Sequence, residues 1–202
     1  MYKEIGKFGD SAVVSVQTNA SGKETVGIEG AYHVVCHDAE GNLKWEESFP
    51  NLVNAVGKEL MLDTLLSGVS YSVTGPFLGL IATTSPTFGT GTDTMTSHSG
   101  WTEFTNYTVG GSAVRGTAVF GAASSTGSTP TNVTTCAASA ITYTITGGGG
   151  NVTGCFLVTG SGASSTLSNT GGVLYSAGAF GVPKAVTAGD TVSVTYSTTA
   201  TS

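Results

Sequence analysis

The chain has 202 residues, 39% apolar, with 30 glycines, only 10% charged side chains and a net charge of −6. That balance excludes the disordered class, which is charged and poor in β-branched residues. It also argues against direct nucleic-acid binding, which relies on Lys and Arg to displace phosphate counterions. Of the 20 charged residues, only Asp93, Glu103, Arg115, Lys184 and Asp190 follow Asp63. Acid-base, phosphoryl and metal chemistry all need ionisable groups converging on a cleft, so the composition speaks against an enzyme and against a bound cofactor.

Residues 1–10 carry Lys3, Glu4, Lys7 and Asp10 with no apolar core, unlike a secretory signal. No later run reaches the roughly 18 apolar residues that would span a membrane. Within residues 1–30, Tyr2, Ile5 and Phe8 are isolated large apolar side chains, and residues 12–16 alternate as a short strand does. The segment reads either as an edge strand behind a frayed terminus or as an N-terminal arm whose anchors dock on a neighbouring subunit. The domain itself spans residues 31–202.

Residues 32–38 and 43–49 read as two strands joined by a turn at 39–42, where Gly41 and Asn42 supply the backbone freedom a hairpin needs. Tyr32, Val34 and Cys36 share one face; His33, Val35 and His37 share the other. Two histidines four apart on a strand lie roughly 13 Å from each other, too far to share one metal ion. Asp38, Glu40 and Asn42 lack the length and the downstream bidentate Glu of a calcium loop.

After Pro50, Asn51 is placed to cap a helix over residues 52–67, with apolar residues at three- and four-residue spacings and Gly68 as its stop. Gly57 inside it costs about 1 kcal/mol relative to Ala, which implies close packing on another backbone. From residue 71 onward the pattern is strand and turn. Residues 77–82 form a compact apolar run, and 141–146 and 191–196 alternate apolar with hydroxyl side chains. Shorter strands fit at 101–107, 114–120, 155–159 and 173–175. The expected fold is mainly β, a two-sheet antiparallel sandwich of jelly-roll or immunoglobulin-like kind.

A hairpin over 141–158, turning at 147–150, would set Cys155 opposite Thr142 rather than Cys136. Cys36, Cys136 and Cys155 are odd in number and are expected to be buried free thiols. There is no G-x-S-x-G elbow, and the Gly89-Thr-Gly91 and 147–150 glycines lack the ending of a phosphate loop. Asn19, Asn106, Asn132 and Asn151 match the glycosylation pattern by chance in so Thr-rich a chain.

The string Asp93-Thr-Met-Thr-Ser-His-Ser-Gly-Trp-Thr-Glu-Phe104, with Asn51-Leu-Val-Asn-Ala-Val-Gly57 before it and Ala185-Val-Thr-Ala-Gly-Asp-Thr-Val-Ser-Val-Thr195 after it, resembles small virion-associated proteins of tailed bacteriophages. The likeness covers about residues 32–197. It implies a structural role, that of a decoration or cement protein on the capsid exterior. The partner would be the major capsid protein, and the oligomer a dimer or trimer matched to capsid symmetry. Synthesis would be in the host cytoplasm.

Trp101 and Phe104 then fill the core or an intersubunit seam. Asp93, His98 and Glu103 either fix a long loop or recognise a neighbouring subunit. A head-fibre or tail-tip module touching a receptor or glycan is the alternative, against which the loops 122–131 and 160–172 hold no aromatic residue. A depolymerase-like enzyme would need carboxylates facing across a cleft, and Asp93 and Glu103 are the only nearby pair.

Overall fold

The computed structural model describes residues 27–67, 74–89, 92–121, 132–134 and 140–201. The first strand among the described residues, β1 (Gly27–His37), turns through Asp38 to Asn42 into β2 (Leu43–Val53). Asp38 accepts the Asn42 amide at 2.7 Å, and Gly41 sits at φ 87°. A short helix, α1 (Ala55–Leu62), runs into a π-helical turn at Asp63–Ser67. There follow β3 (Phe77–Ile81), β4 (Glu103–Phe104), β5 (Tyr107–Thr108), β6 (Gly116–Thr117) and β7 (Asn132–Thr134). The last are β8 (Ile141–Ile145), β9 (Gly150–Thr159), β10 (Val173–Val186) and β11 (Thr191–Thr201).

Hydrogen bonding runs as one antiparallel path, β4-β3-β9-β10-β2-β1-β11-β8-β5, with β6 on β3 and β7 on β11. β2 belongs to both halves: residues 43–51 pair with β1, and Leu52 and Val53 pair with β10. The mainly β class is as expected, but the two sheets of the expected sandwich merge into one curled sheet. It bends nearly into a barrel. The Tyr143 hydroxyl on β8 donates to the Leu78 carbonyl on β3 at 2.7 Å, and Gly116 on β6 lies so close to Ile141 that a Cβ would overlap it.

Period-two alternation fills the interior. Tyr32, Val34 and Cys36 are fully buried on β1, and they meet Val192, Val194 and Tyr196 of β11 and Ile141, Tyr143 and Ile145 of β8. Burying each such side chain contributes about 1.5–3 kcal/mol. β9 differs, because residues 152–158 are buried on both faces. Cys155 and Leu157 face the barrel, while Phe156 and Val158 join Ile81, Met95, Trp101 and Leu174 in a second cluster outside it.

The helix starts later than the periodicity predicts. Leu52 and Val53 suit a strand as well as a helix, and they finish β2; Asn54, extended at φ −67° and ψ 157°, takes the N-cap position. Asn51 instead donates its side-chain amide to the Tyr196 hydroxyl at 2.9 Å. The reading of Gly57 holds: a Cβ there would stand 2.8 Å from the Tyr175 carbonyl. Leu65 and Leu66, expected on the apolar face, are 75% and 80% exposed.

Other expectations change because pairing is non-local. The 141–158 hairpin does not form, since β8 pairs with β11 and β5 while β9 pairs with β10 and β3. Residues 101–107 give two separate two-residue strands, 114–120 gives only β6, and the strand expected at 173–175 continues to Val186. Residues 27–30, assigned to the arm, belong to β1. Tyr2, Ile5, Phe8 and Cys136 lie outside the described residues. Cys36 and Cys155 are buried free thiols; burial pushes Cys36 up to about 11 and Cys155 further.

Candidate functional site

The doubly buried β9 gives the loop that leads into β4 an apolar floor, and the string singled out in the sequence folds onto it. Thr102 ties this loop to the end of β3, its amide donating to the Thr83 hydroxyl at 2.7 Å and its carbonyl accepting the Ala82 amide at 2.9 Å. Across the loop, the Thr87 amide donates to the Gly100 carbonyl at 3.1 Å. A Cβ at Gly100 would overlap the Thr87 carbonyl oxygen, so the approach demands glycine there.

Trp101 is 2% exposed and lies between two rings. His98 stacks on it at 3.8 Å between centroids and 19° between planes, and Phe156 packs against it at 5.0 Å. The His98 Nδ1–H donates to the Trp101 carbonyl at 3.1 Å, a contact that fixes its tautomer because the carbonyl can only accept. The indole Nε1–H is buried and has no hydrogen-bond acceptor in the protein.

Glu103, two residues on, projects from β4 into a buried ion pair. Arg115 binds it through both arms of the guanidinium, Nε to Oε1 at 2.8 Å and Nη2 to Oε2 at 2.7 Å. The arginine also donates to the Ser164 carbonyl at 3.1 Å and the Asn169 carbonyl at 2.8 Å, and its guanidinium lies 5.1 Å from the Phe156 ring centroid. Glu103 Oε2 accepts the Ser168 amide at 2.7 Å. The pair thereby pins the 160–172 loop onto β4. Such bidentate, charge-assisted bonds are the strong kind, and their geometry specifies one loop conformation.

These residues border a cavity of about 240 Å³. Of the expected cluster of Asp93, His98 and Glu103, the last two meet at its wall, together with Trp101. Asp93 is not part of it; its carboxylate closes its own loop by accepting the Gly89 amide at 3.0 Å. Arg115, Ser168 and Asn169 were not anticipated. A lone arginine in so uncharged a region is a signal for a buried carboxylate partner, but nothing local says which one.

The remaining charges beyond Asp63 are also held internally. Lys44 donates to Asp190 at 2.6 Å, and Lys184 donates to Glu47 at 2.7 Å. Burial alone would raise the Asp190 carboxyl, but the bonds from Lys44 and from the Thr187 amide and hydroxyl outweigh it and hold it below the usual carboxylate range. His33 lies on the outer face of β1, its Nδ1 2.9 Å from the Ser48 hydroxyl. Among the described residues, no group of three His, Cys, Asp or Glu side chains could hold a metal ion. No described helix is long and apolar enough to cross a membrane. A second cavity, of about 320 Å³, opens beside β1, β2 and β11 and brings no set of charges together.

Fold and site together define a curled antiparallel β protein with a small cavity, mostly apolar in lining, walled by a buried ion pair. No protein-family model, curated protein or solved structure matches the chain.

Proposed function

We propose that this chain is a virion structural protein of a tailed phage, a decoration or cement protein that binds the assembled capsid exterior and bridges capsid subunits without making or breaking bonds. The observation that carries this reading is the use of charge. Beyond Asp63, Glu103, Arg115, Lys184 and Asp190 are all held in internal ion pairs, and Asp93 is held by a backbone amide. Ionisable groups committed in this way brace loops; they are not free to shuttle protons or to ligate a cation.

The surface that remains is rich in Ser, Thr and Gly, with exposed apolar side chains such as Leu62, Leu65 and Leu66. A standard protein–protein interface buries about 1,600 Å². Several modest contacts linked within a dimer or trimer would bind a repeating lattice far more tightly than any one of them. Residues 1–30 as a docking arm, with Tyr2, Ile5 and Phe8 as its anchors, belong to the same proposal, as does an Asp93–Glu103 segment braced for contact with a neighbour.

Quantitative mass spectrometry of purified virions tests the reading. Copy number should track that of the major capsid protein. A handful of copies per particle would point instead to a head-fibre or tail-tip attachment module, and absence from the particle would remove the virion role.

A further inference from the structure

We propose that the cavity between the 94–103 segment and the 164–170 loop is a binding site for one pyranose ring of a neutral saccharide. The inference does not depend on where the protein sits in a virion.

Size is the first constraint. At about 240 Å³ the cavity falls below the roughly 300–1,000 Å³ that takes drug-sized ligands, so it admits one small ring and not a chain buried along its length. Its lining is the second. Met95, Trp101 and Phe156 back the cavity with apolar side chains, while Thr102, Ser168, Asn169 and Thr170 contribute polar groups. His98, lying flat on Trp101 and partly exposed, offers an aromatic surface at the wall. Apolar backing with a few placed hydroxyls and amides is the anatomy of a site that orients a polar ring.

Charge selects among polar ligands. Arg115 already spends four of its five N–H groups on Glu103, Ser164 and Asn169, and Glu103 has both oxygens engaged. An anion would meet a guanidinium already neutralised beside a carboxylate, and a cation would meet the reverse. A neutral polyol faces neither penalty. Donors and acceptors for its hydroxyls remain: the Asn169 amide N–H₂, whose carbonyl side alone is used, by the Gly171 amide at 2.8 Å, and the Thr170 and Ser168 hydroxyls. The Trp101 indole N–H, buried and without a protein acceptor, lies behind these groups and serves as a reporter at the wall rather than as an exposed donor.

Backbone strain marks the same place. Ser168, at φ 59°, is the single non-glycine residue with positive φ among the described residues. Such conformations persist where surrounding contacts over-determine them, and they concentrate at ligand clamps. The Glu103–Ser168 bond is that contact here. The absence of aromatic residues from the 160–172 loop, which counts against sugar binding when the sequence is read linearly, loses its force once Trp101 and His98 are folded against that loop.

The test is a titration of the ¹⁵N-labelled full chain with glucose, galactose and N-acetylglucosamine, each free and as its methyl glycoside, with glucuronate as the charged comparator. Saturable shifts are expected for the Trp101 indole N–H and the Ser168 to Thr170 amides with at least one neutral sugar. Asn169→Asp keeps the acceptor for Gly171 and removes the N–H₂ donor, and Thr170→Val removes a hydroxyl; each should weaken binding about 10-fold. A methyl glycoside that binds as well as the free sugar identifies a terminal glycan residue as the ligand, and binding of the free sugar alone identifies a monosaccharide; either upholds the site. Three results would overturn it: no movement of those resonances with any neutral sugar at about 100 mM, tighter binding of glucuronate than of every neutral sugar, or unchanged affinity in both variants.

Discussion

Arg115→Met is the most informative single substitution. Methionine retains most of the aliphatic stem but lacks the guanidinium that lies over Phe156, and the four hydrogen bonds to Glu103, Ser164 and Asn169 are lost. Glu103, whose side chain is 6% exposed, then keeps only the Ser168 amide. Removing one member of a buried pair costs about 3–5 kcal/mol, because the other is left as an uncompensated charge. For a chain of this length each kcal/mol lowers Tm by about 2–4 °C, so thermal unfolding followed by circular dichroism should shift down by about 6–20 °C.

The double variant Glu103→Leu, Arg115→Met separates charge from architecture. Buried pairs replaced jointly by apolar residues are often neutral or stabilised, by about 1–4 kcal/mol. Here the Ser168 amide and the Ser164 and Asn169 carbonyls also lose their partners, and each costs about 1–3 kcal/mol if it stays buried. The double variant should therefore fall between wild type and Arg115→Met. A Tm shift under about 2 °C in Arg115→Met, or a double variant as stable as wild type, would refute the view that this pair staples the 160–172 loop.

Gly57→Ala should destabilise by about 1–3 kcal/mol in urea despite the better helix propensity of alanine, because the added methyl meets the Tyr175 backbone at 2.8 Å. Under native conditions at pH 8, iodoacetamide should leave Cys36 and Cys155 unmodified, as peptide mass spectrometry would read out, with labelling only after unfolding; burial holds both thiols protonated there. Asp190 has a folded pKa below its unfolded value of about 3.9, so its contribution is complete above that pH and is lost as pH falls through the folded value. Urea midpoints should accordingly drop below about pH 4, and Asp190→Asn should flatten that acid limb.

Much of the fold was legible wherever one face of a strand is buried and the other wet. Tyr32, Val34 and Cys36, and likewise Val192, Val194 and Tyr196, announce their shared interior face by alternation alone. Ambiguity entered where two periods coincide: Leu52 and Val53 fit a helix stripe, and only pairing with Ala177 and Ser176 assigns them to β2. β10 was read short because Gly178, Gly181 and Pro183 punctuate it; the register shifts between Ala179 and Lys184 accommodate that irregularity. The failed 141–158 hairpin has a related cause. Its glycines do turn the chain, but β8 pairs with the distant β11 and β5, while β9 pairs with the distant β3 and with β10, which follows it.

The site divides the same way. His98 and Glu103 were visible as neighbours because six residues of sequence hold them together, but Asp93, grouped with them, closes a separate loop, and Trp101, read as a core or seam residue, joins them at the cavity wall. Arg115 and the 164–170 loop arrive by tertiary folding, and no local pattern could assign them to Glu103.

The eleven-residue ladder between β1 and β11 sets Gly27 directly beside Thr201. Segments joined at Gly27 and at Thr201 therefore leave the sheet from the same rim. With residues 1–26 removed, bridging Gly27 to Thr201 with a short linker and reopening the backbone at the exposed Gly41 turn should give a circular permutant that keeps every described ladder of the parent.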